Sequence, residues 1–119
     1  MQMLLRRVLA SLLLGCLACP LVAAELNVMT FNIRYDNPRD GMDNWRFRVD
    51  QVVGMFAHHD VAVAGLQEVL KRQLDVLNKR LPKYQFVGVG REDGKARGEY
   101  APIFFRKDLL VLENSDTIW

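Results

Sequence analysis

Residues 61–66, Val-Ala-Val-Ala-Gly-Leu, form an apolar run with no polar side chain inside it. A run this short suits a β-strand buried on both faces, and such a strand needs a layer of structure on each side. Of the 119 residues, the first 24 read as a targeting segment, and the 95 that remain hold one domain at most. That length supplies one helix layer for one sheet. It does not supply cover for the second face, because a chain of this size buries only about 60–70% of its unfolded surface.

The rest of the pattern builds around that strand. Leu26 to Ile33 alternates loosely between apolar and polar residues and reads as a strand. Tyr35 to Asn44 is dense in Asp, Asn, Pro and Gly and reads as a loop. Asp43 or Asn44 can cap the helix that follows, where Trp45, Val49, Val52, Val53 and Phe56 recur at helical spacing. His58 and His59 fall at its end and read as surface residues. A second helical stripe, Leu70, Leu74, Leu77 and Leu81, has Lys71, Arg72, Asp75 and Lys79 facing away and Pro82 as its stop. Tyr84 to Val89 is a third strand. Gly90 to Gly98 is a polar, glycine-rich loop with a turn signal at Asp93-Gly94, expected to be mobile and to border a groove. Ala101 to Phe105 and Leu109 to Leu112 are expected strands, joined by a turn at Arg106-Lys107-Asp108. The order predicts an α/β architecture: a mixed β-sheet with two helices packed on one face, a crossover first and antiparallel strands last.

Arg6 and Arg7, an apolar stretch from Val8 to Leu17 and small residues up to Ala24 match a secretory signal peptide cleaved after Ala24. The protein is therefore expected to be exported, periplasmic or secreted, with no membrane span after cleavage. An uncleaved anchor and a lipoprotein are the alternatives, since Leu13-Leu14-Gly15-Cys16 resembles a lipobox. Both cysteines, Cys16 and Cys19, lie in this segment. The mature chain thus has no disulfide, zinc-thiolate site or thiol nucleophile. Without Arg6 and Arg7, the 16 basic residues become 14 against 14 acidic ones, a net charge of zero in place of +2. That balance gives no support for a polybasic nucleic-acid or membrane binder.

Polar candidates stand at strand ends, where ligands favour α/β sheets. Asn32 closes the first strand, and Glu68 follows the second. A carboxylate at the mouth of a buried strand suits a hard cation, since Mg²⁺ takes one or two carboxylates plus water and phosphate oxygens. The competing reading of Glu68 is a first-turn residue of the second helix, favoured by the helix dipole. Arg34 and Arg91 could hold a substrate phosphate or form surface ion pairs. Asp36, Asp40 and Asp43 read as a solvated turn. Gly88-Val89-Gly90 has no helix after it and so is not a phosphate loop.

The runs Leu26-Asn27-Val28-Met29-Thr30-Phe31-Asn32-Ile33-Arg34 and Ala64-Gly65-Leu66-Gln67-Glu68-Val69 resemble the first two motifs of the endonuclease/exonuclease/phosphatase superfamily, which has the deoxyribonuclease I-like fold. Arg34-Tyr35-Asp36-Asn37-Pro38, Asp40-Gly41, Asn44-Trp45 and the stretch from Val87 through Gly98-Glu99-Tyr100 to Lys107 resemble a bacterial, often exported branch. The resemblance covers residues 25–119. It implies the N-terminal half of a four-layer α/β sandwich, with Glu68 as a ligand of Mg²⁺ or Mn²⁺. Asn32 would support the metal or the scissile phosphate, and Glu99 would orient a catalytic histidine. The implied chemistry is hydrolysis of a phosphodiester or phosphomonoester by metal-activated water.

The family's Asp-Asn motif and closing Asp-His pair have no counterpart in residues 25–119. The expectation is therefore a truncated domain, inactive alone and without stable nucleic-acid binding. Its parent would be a Mg²⁺-dependent phosphoesterase acting on a phosphate ester of undetermined type. The alternative is a small non-catalytic exported domain that binds a partner or a complementing second half, or self-associates through an uncovered sheet face.

Overall fold

The computed structural model describes residues 25–118. The expected signal peptide over residues 1–24, with Cys16 and Cys19, lies outside the described residues, as does Trp119. Strand β1 (Asn27–Asn32) leads through a loop to helix α1 (Trp45–His58) and strand β2 (Val61–Gln67). Helix α2 (Lys71–Arg80), strand β3 (Tyr84–Val87) and strand β4 (Ile103–Arg106) follow. The four strands form one sheet in the order β1-β2-β4-β3. β1 and β2 are parallel, and β4 is antiparallel to both β2 and β3. Among the described residues no helix is long and apolar enough to cross a membrane.

Local chemistry sets the helix ends. The side chain of Asn44 accepts the backbone N–H of Arg46, a cap contributing about 1 kcal/mol. The loop before it carries a single 3₁₀ turn at Gly41–Asp43, which the composition did not resolve from coil. Trp45, Val52 and Phe56 of α1 are buried, with Val49 and Val53 packed beside them. α2 buries Leu74 and Leu77 and ends one residue before Leu81, ahead of Pro82.

Register sorts the strand residues into two faces. Met29, Ala64, Phe104 and Phe86 lie in one cross-strand row beneath the helices. Phe56 meets Phe104 and Tyr84 edge-on at 6.0 and 5.1 Å between ring centroids. Complete burial of Phe56 and Phe104 stabilises the domain by roughly 1.5–3 kcal/mol each. The neighbouring rows, Val28-Val63-Phe105-Gln85 and Thr30-Gly65-Ile103-Val87, face the other way. Among the described residues no helix covers them: Val28 is 74% and Ile103 46% exposed, although Phe105 in the same rows is buried. Among the described residues the both-sided apolarity of residues 61–66 thus meets helices on one side only.

Two expectations are corrected. Leu109 to Leu112 is not a strand: the N–H groups of Leu109 and Leu110 both turn back to the carbonyl of Arg106, and Val111 is exposed. β4 already has a neighbour on each side, so the segment after it finds no adjacent ladder. The 90–98 loop is not loose. Gly90 and Glu92 donate to Lys95 and Arg97 carbonyls, and Arg91 donates to Glu99. A side chain on Gly90 would place its Cβ 2.2 Å from the Arg97 carbonyl oxygen, so the close approach demands glycine.

Candidate functional site

Parallel pairing brings the C-terminal ends of β1 and β2 side by side, with Asn32 opposite Gln67. Ile33 prolongs the ladder through an N–H bond to the Gln67 carbonyl. Immediately beyond, Arg34 (φ 60°) and Glu68 (φ 59°) both adopt left-handed backbone, which non-glycine residues rarely do. The two chains leave the sheet there, and the turns bring three sequence-predicted residues, Asn32, Arg34 and Glu68, into one cluster.

Asn32 Nδ2 donates to Glu68 Oε1 at 2.8 Å, and Asn32 Oδ1 accepts the Arg34 N–H at 2.9 Å. Glu68 Oε2 accepts the Tyr35 N–H at 3.2 Å. Each carboxylate oxygen therefore holds one neutral donor and keeps lone-pair capacity for another partner. The Asn32 amide, then the Tyr35 N–H and the nearby Arg34 cation, hold the Glu68 carboxyl below its ordinary range, outweighing partial burial. It is ionised at neutral pH. Glu68 precedes the first residue of α2, Lys71, so the first-turn helix-dipole reading does not hold.

The other candidates are paired. Arg34 makes a two-pronged ion pair with Asp40 at 3.0 and 3.1 Å, and its guanidinium lies over the Tyr35 ring. That pair raises the Arg34 pKa and lowers that of Asp40. A depression of about 300 Å³ beside Arg34 is lined by Asp40, Asp43 and Arg48. Asp36 is engaged by Arg72 at 2.5 Å. Arg91 and Glu99 form a 3.3 Å ion pair with each other at the base of the 90–98 loop. Among the described residues neither hydrogen-bonds Asn32, Arg34 or Glu68. The nearest link is Tyr100, next to Glu99, which exchanges backbone bonds with Val69, next to Glu68. His58 and His59 are exposed at the end of α1.

Residue-by-residue reading missed Tyr35, which acts through its backbone, and Gln73, buried beneath the same turn. A glutamine three residues after a helix start was the available signal. Among the described residues no group of three or more His, Cys, Asp or Glu side chains could enclose a metal. The donor set fits a cation bound through one carboxylate, with the remaining positions open to water and substrate oxygens.

No protein-family model matches the sequence, and no curated protein matches it. Solved structures do. An endonuclease/exonuclease/phosphatase from Bacteroides vulgatus is 53% identical, with a TM-score of 0.65 over 66% of this chain and 30% of its own. A family protein from Bacteroides thetaiotaomicron is 39% identical, with a TM-score of 0.68 over 70% and 31%. A mannosyl-6-phosphatase from the same species is 38% identical, with a TM-score of 0.68 over 71% and 32%. The chain thus spans about a third of the length of these relatives. With the sheet order, the two helices on one face and the Asn32–Glu68 pairing, these likenesses place the chain in the endonuclease/exonuclease/phosphatase family, as the part of the fold that occupies the N-terminal third of its relatives.

Proposed function

We propose that residues 25–118 carry the cation-binding corner of a phosphoester hydrolase whose remaining site residues lie outside the described part. Glu68 is the ligand of Mg²⁺ or Mn²⁺, and Asn32 holds its carboxylate. A divalent cation bound there would neutralise charge developing on phosphate oxygens. The observation that carries this reading is the Glu68 carboxylate, held by two neutral donors at adjacent parallel strand ends. Likeness to a mannosyl-6-phosphatase favours a phosphate ester of a sugar as the substrate class. Arg34 is the substrate-phosphate candidate, and it must first leave Asp40. Arg91 and Glu99 belong to the rim, where Glu99 awaits a histidine partner. The protein acts after export.

The test is titration of the full chain with Mn²⁺, followed by an assay on a phosphomonoester. Cation binding without turnover is the expected result, and Glu68→Gln should weaken binding by about tenfold or more. Turnover by the chain alone would overturn the assignment of the remaining machinery elsewhere. Binding indifferent to Glu68→Gln would overturn the metal role.

A second reading rests on the open sheet face. Exposed Val28 and Ile103 favour association with a further polypeptide or a second copy through that face. A concentration-dependent sedimentation coefficient is the expected signature.

A further inference from the structure

Gln73 is the only residue of polar or charged type that is buried among the described residues, with 0% exposure. Its side-chain amide makes three hydrogen bonds. Oε1 accepts the N–H groups of Leu70 at 3.1 Å and Asp36 at 3.0 Å, while Nε2 donates to the Arg34 carbonyl at 3.0 Å. Two N–H donors and one carbonyl acceptor define the orientation of the amide, because only one of its ends can accept.

Helix capping accounts for one of these bonds. Leu70, at the start of α2, has no capping side chain, and Gln73 satisfies its N–H from the third helical position. The other two bonds reach back 39 and 37 residues and bracket Tyr35. The Arg34 carbonyl and the Tyr35 N–H are the two ends of a single peptide unit. That unit is planar and trans, so its C=O and N–H point in opposite directions. Holding the oxygen aims the hydrogen, and the hydrogen is donated to Glu68 Oε2. The bonds form one relay: Gln73 Nε2 to the Arg34 carbonyl, and the Tyr35 N–H to Glu68. Each bond in such a relay polarises the next. Arg34 lies in this grip with left-handed backbone, Arg72 on the same helix reinforces it through the side chain and carbonyl of Asp36, and Arg48 Nη2 donates more weakly to the same Arg34 carbonyl at 3.3 Å.

We propose that Gln73 is a positioning residue for Glu68, orienting the Arg34–Tyr35 peptide so that its N–H fixes the carboxylate for a divalent cation. The proposal rests on the reading of Glu68 as cation ligand and adds how the fold sets its geometry. It is tested in the full chain by nitrogen-15 NMR and by titration with Mn²⁺ alone. Gln73→Met keeps an unbranched side chain of similar length and removes all three bonds. The Tyr35 amide proton should move upfield and exchange faster, and the Mn²⁺ dissociation constant should rise about tenfold. The amides of residues 95–97 should stay unchanged. Gln73→Glu separates capping from positioning, since its ionised carboxylate keeps an acceptor for Leu70 and Asp36 but has no donor for the Arg34 carbonyl. A residue serving only as a cap would be rescued by it, whereas the Tyr35 shift and the Mn²⁺ affinity should not return. Should either variant fail to fold, Glu68→Gln in otherwise unaltered chain reads the relay from its other end, through a shift of the Gln73 side-chain amide protons. An unmoved Tyr35 amide in Gln73→Met, recovery in Gln73→Glu, or silent Gln73 protons in Glu68→Gln would overturn the proposal. Absence of Mn²⁺ binding to the unaltered chain would instead remove the ligand role of Glu68, with the Tyr35 amide still deciding the relay.

Discussion

Asp93 and Glu68 are both carboxylates held by neutral backbone or amide donors, and they are held over very different distances. Asp93 Oδ1 accepts the N–H groups of Lys95, Ala96 and Arg97 at 2.8, 2.9 and 2.9 Å, all within four residues. Glu68 takes one donor on each oxygen, from residues 36 and 33 positions earlier. The charge of Asp93 is used up in folding its own loop. The geometry of Glu68 exists only when β1, β2, the 34–36 turn and α2 are assembled together. A carboxylate free to bind a ligand is therefore the one whose support is non-local, and its integrity reports on the whole sheet.

The strongest way to break this contrast is to remove the packing beneath the sheet. Phe104→Ala should cost about 3–5 kcal/mol, a large share of the stability of a small domain, read as a lower urea midpoint. The Tyr35 amide should lose protection before the amides of residues 95–97. Simultaneous loss of both would show that the two carboxylates are not independent.

Acid sharpens the contrast from the other side. The Arg97 N–H first, then those of Lys95 and Ala96, hold the Asp93 carboxyl below its ordinary value of 3.8, outweighing the opposing desolvation. A group with a depressed folded pKa stabilises the folded loop above the unfolded value and ceases to do so as pH falls through the folded one. The 95–97 amide resonances should therefore titrate with a midpoint below 3.8. A midpoint at or above 3.8 would show that the three-donor turn does not form.

The smallest effect is expected at the rim. Arg91→Ala removes an ion pair whose side chains are 61% and 31% exposed, so stability should change by less than about 1 kcal/mol. Mn²⁺ affinity should be unchanged. A large loss of affinity would bring the 90–98 loop into the proposed cation site and merge the two regions.

What could be read from sequence follows the same division. The strand–helix alternation, the Asn44 cap and the Asp93-Gly94 turn are local, and each is where periodicity and turn chemistry put it. Asn32 and Glu68 stand out in the sequence because each lies at a strand end in a motif that resembles a known family. Their contact is a product of the parallel register of β1 and β2. The insertion of β4 between β2 and β3 is invisible to periodicity, since strand order depends on pairing across distant segments. The failed strand at 109–112 has the same cause. Gln73 was overlooked because a glutamine beside Lys71 and Arg72 reads as solvent-facing, and only the fold brings the 34–36 turn down onto it.

The left-handed backbone at Glu68 carries a consequence for how this position can vary. Glycine would relax φ 59° and asparagine would tolerate it, so variants chosen for stability alone should drift toward those residues. Glutamate there goes against the conformational preference of the chain. Populations of variants screened only for folding and populations screened for cation binding should therefore part company at residue 68 before they do at any residue of the helix-covered core, where both screens ask for the same apolar side chains.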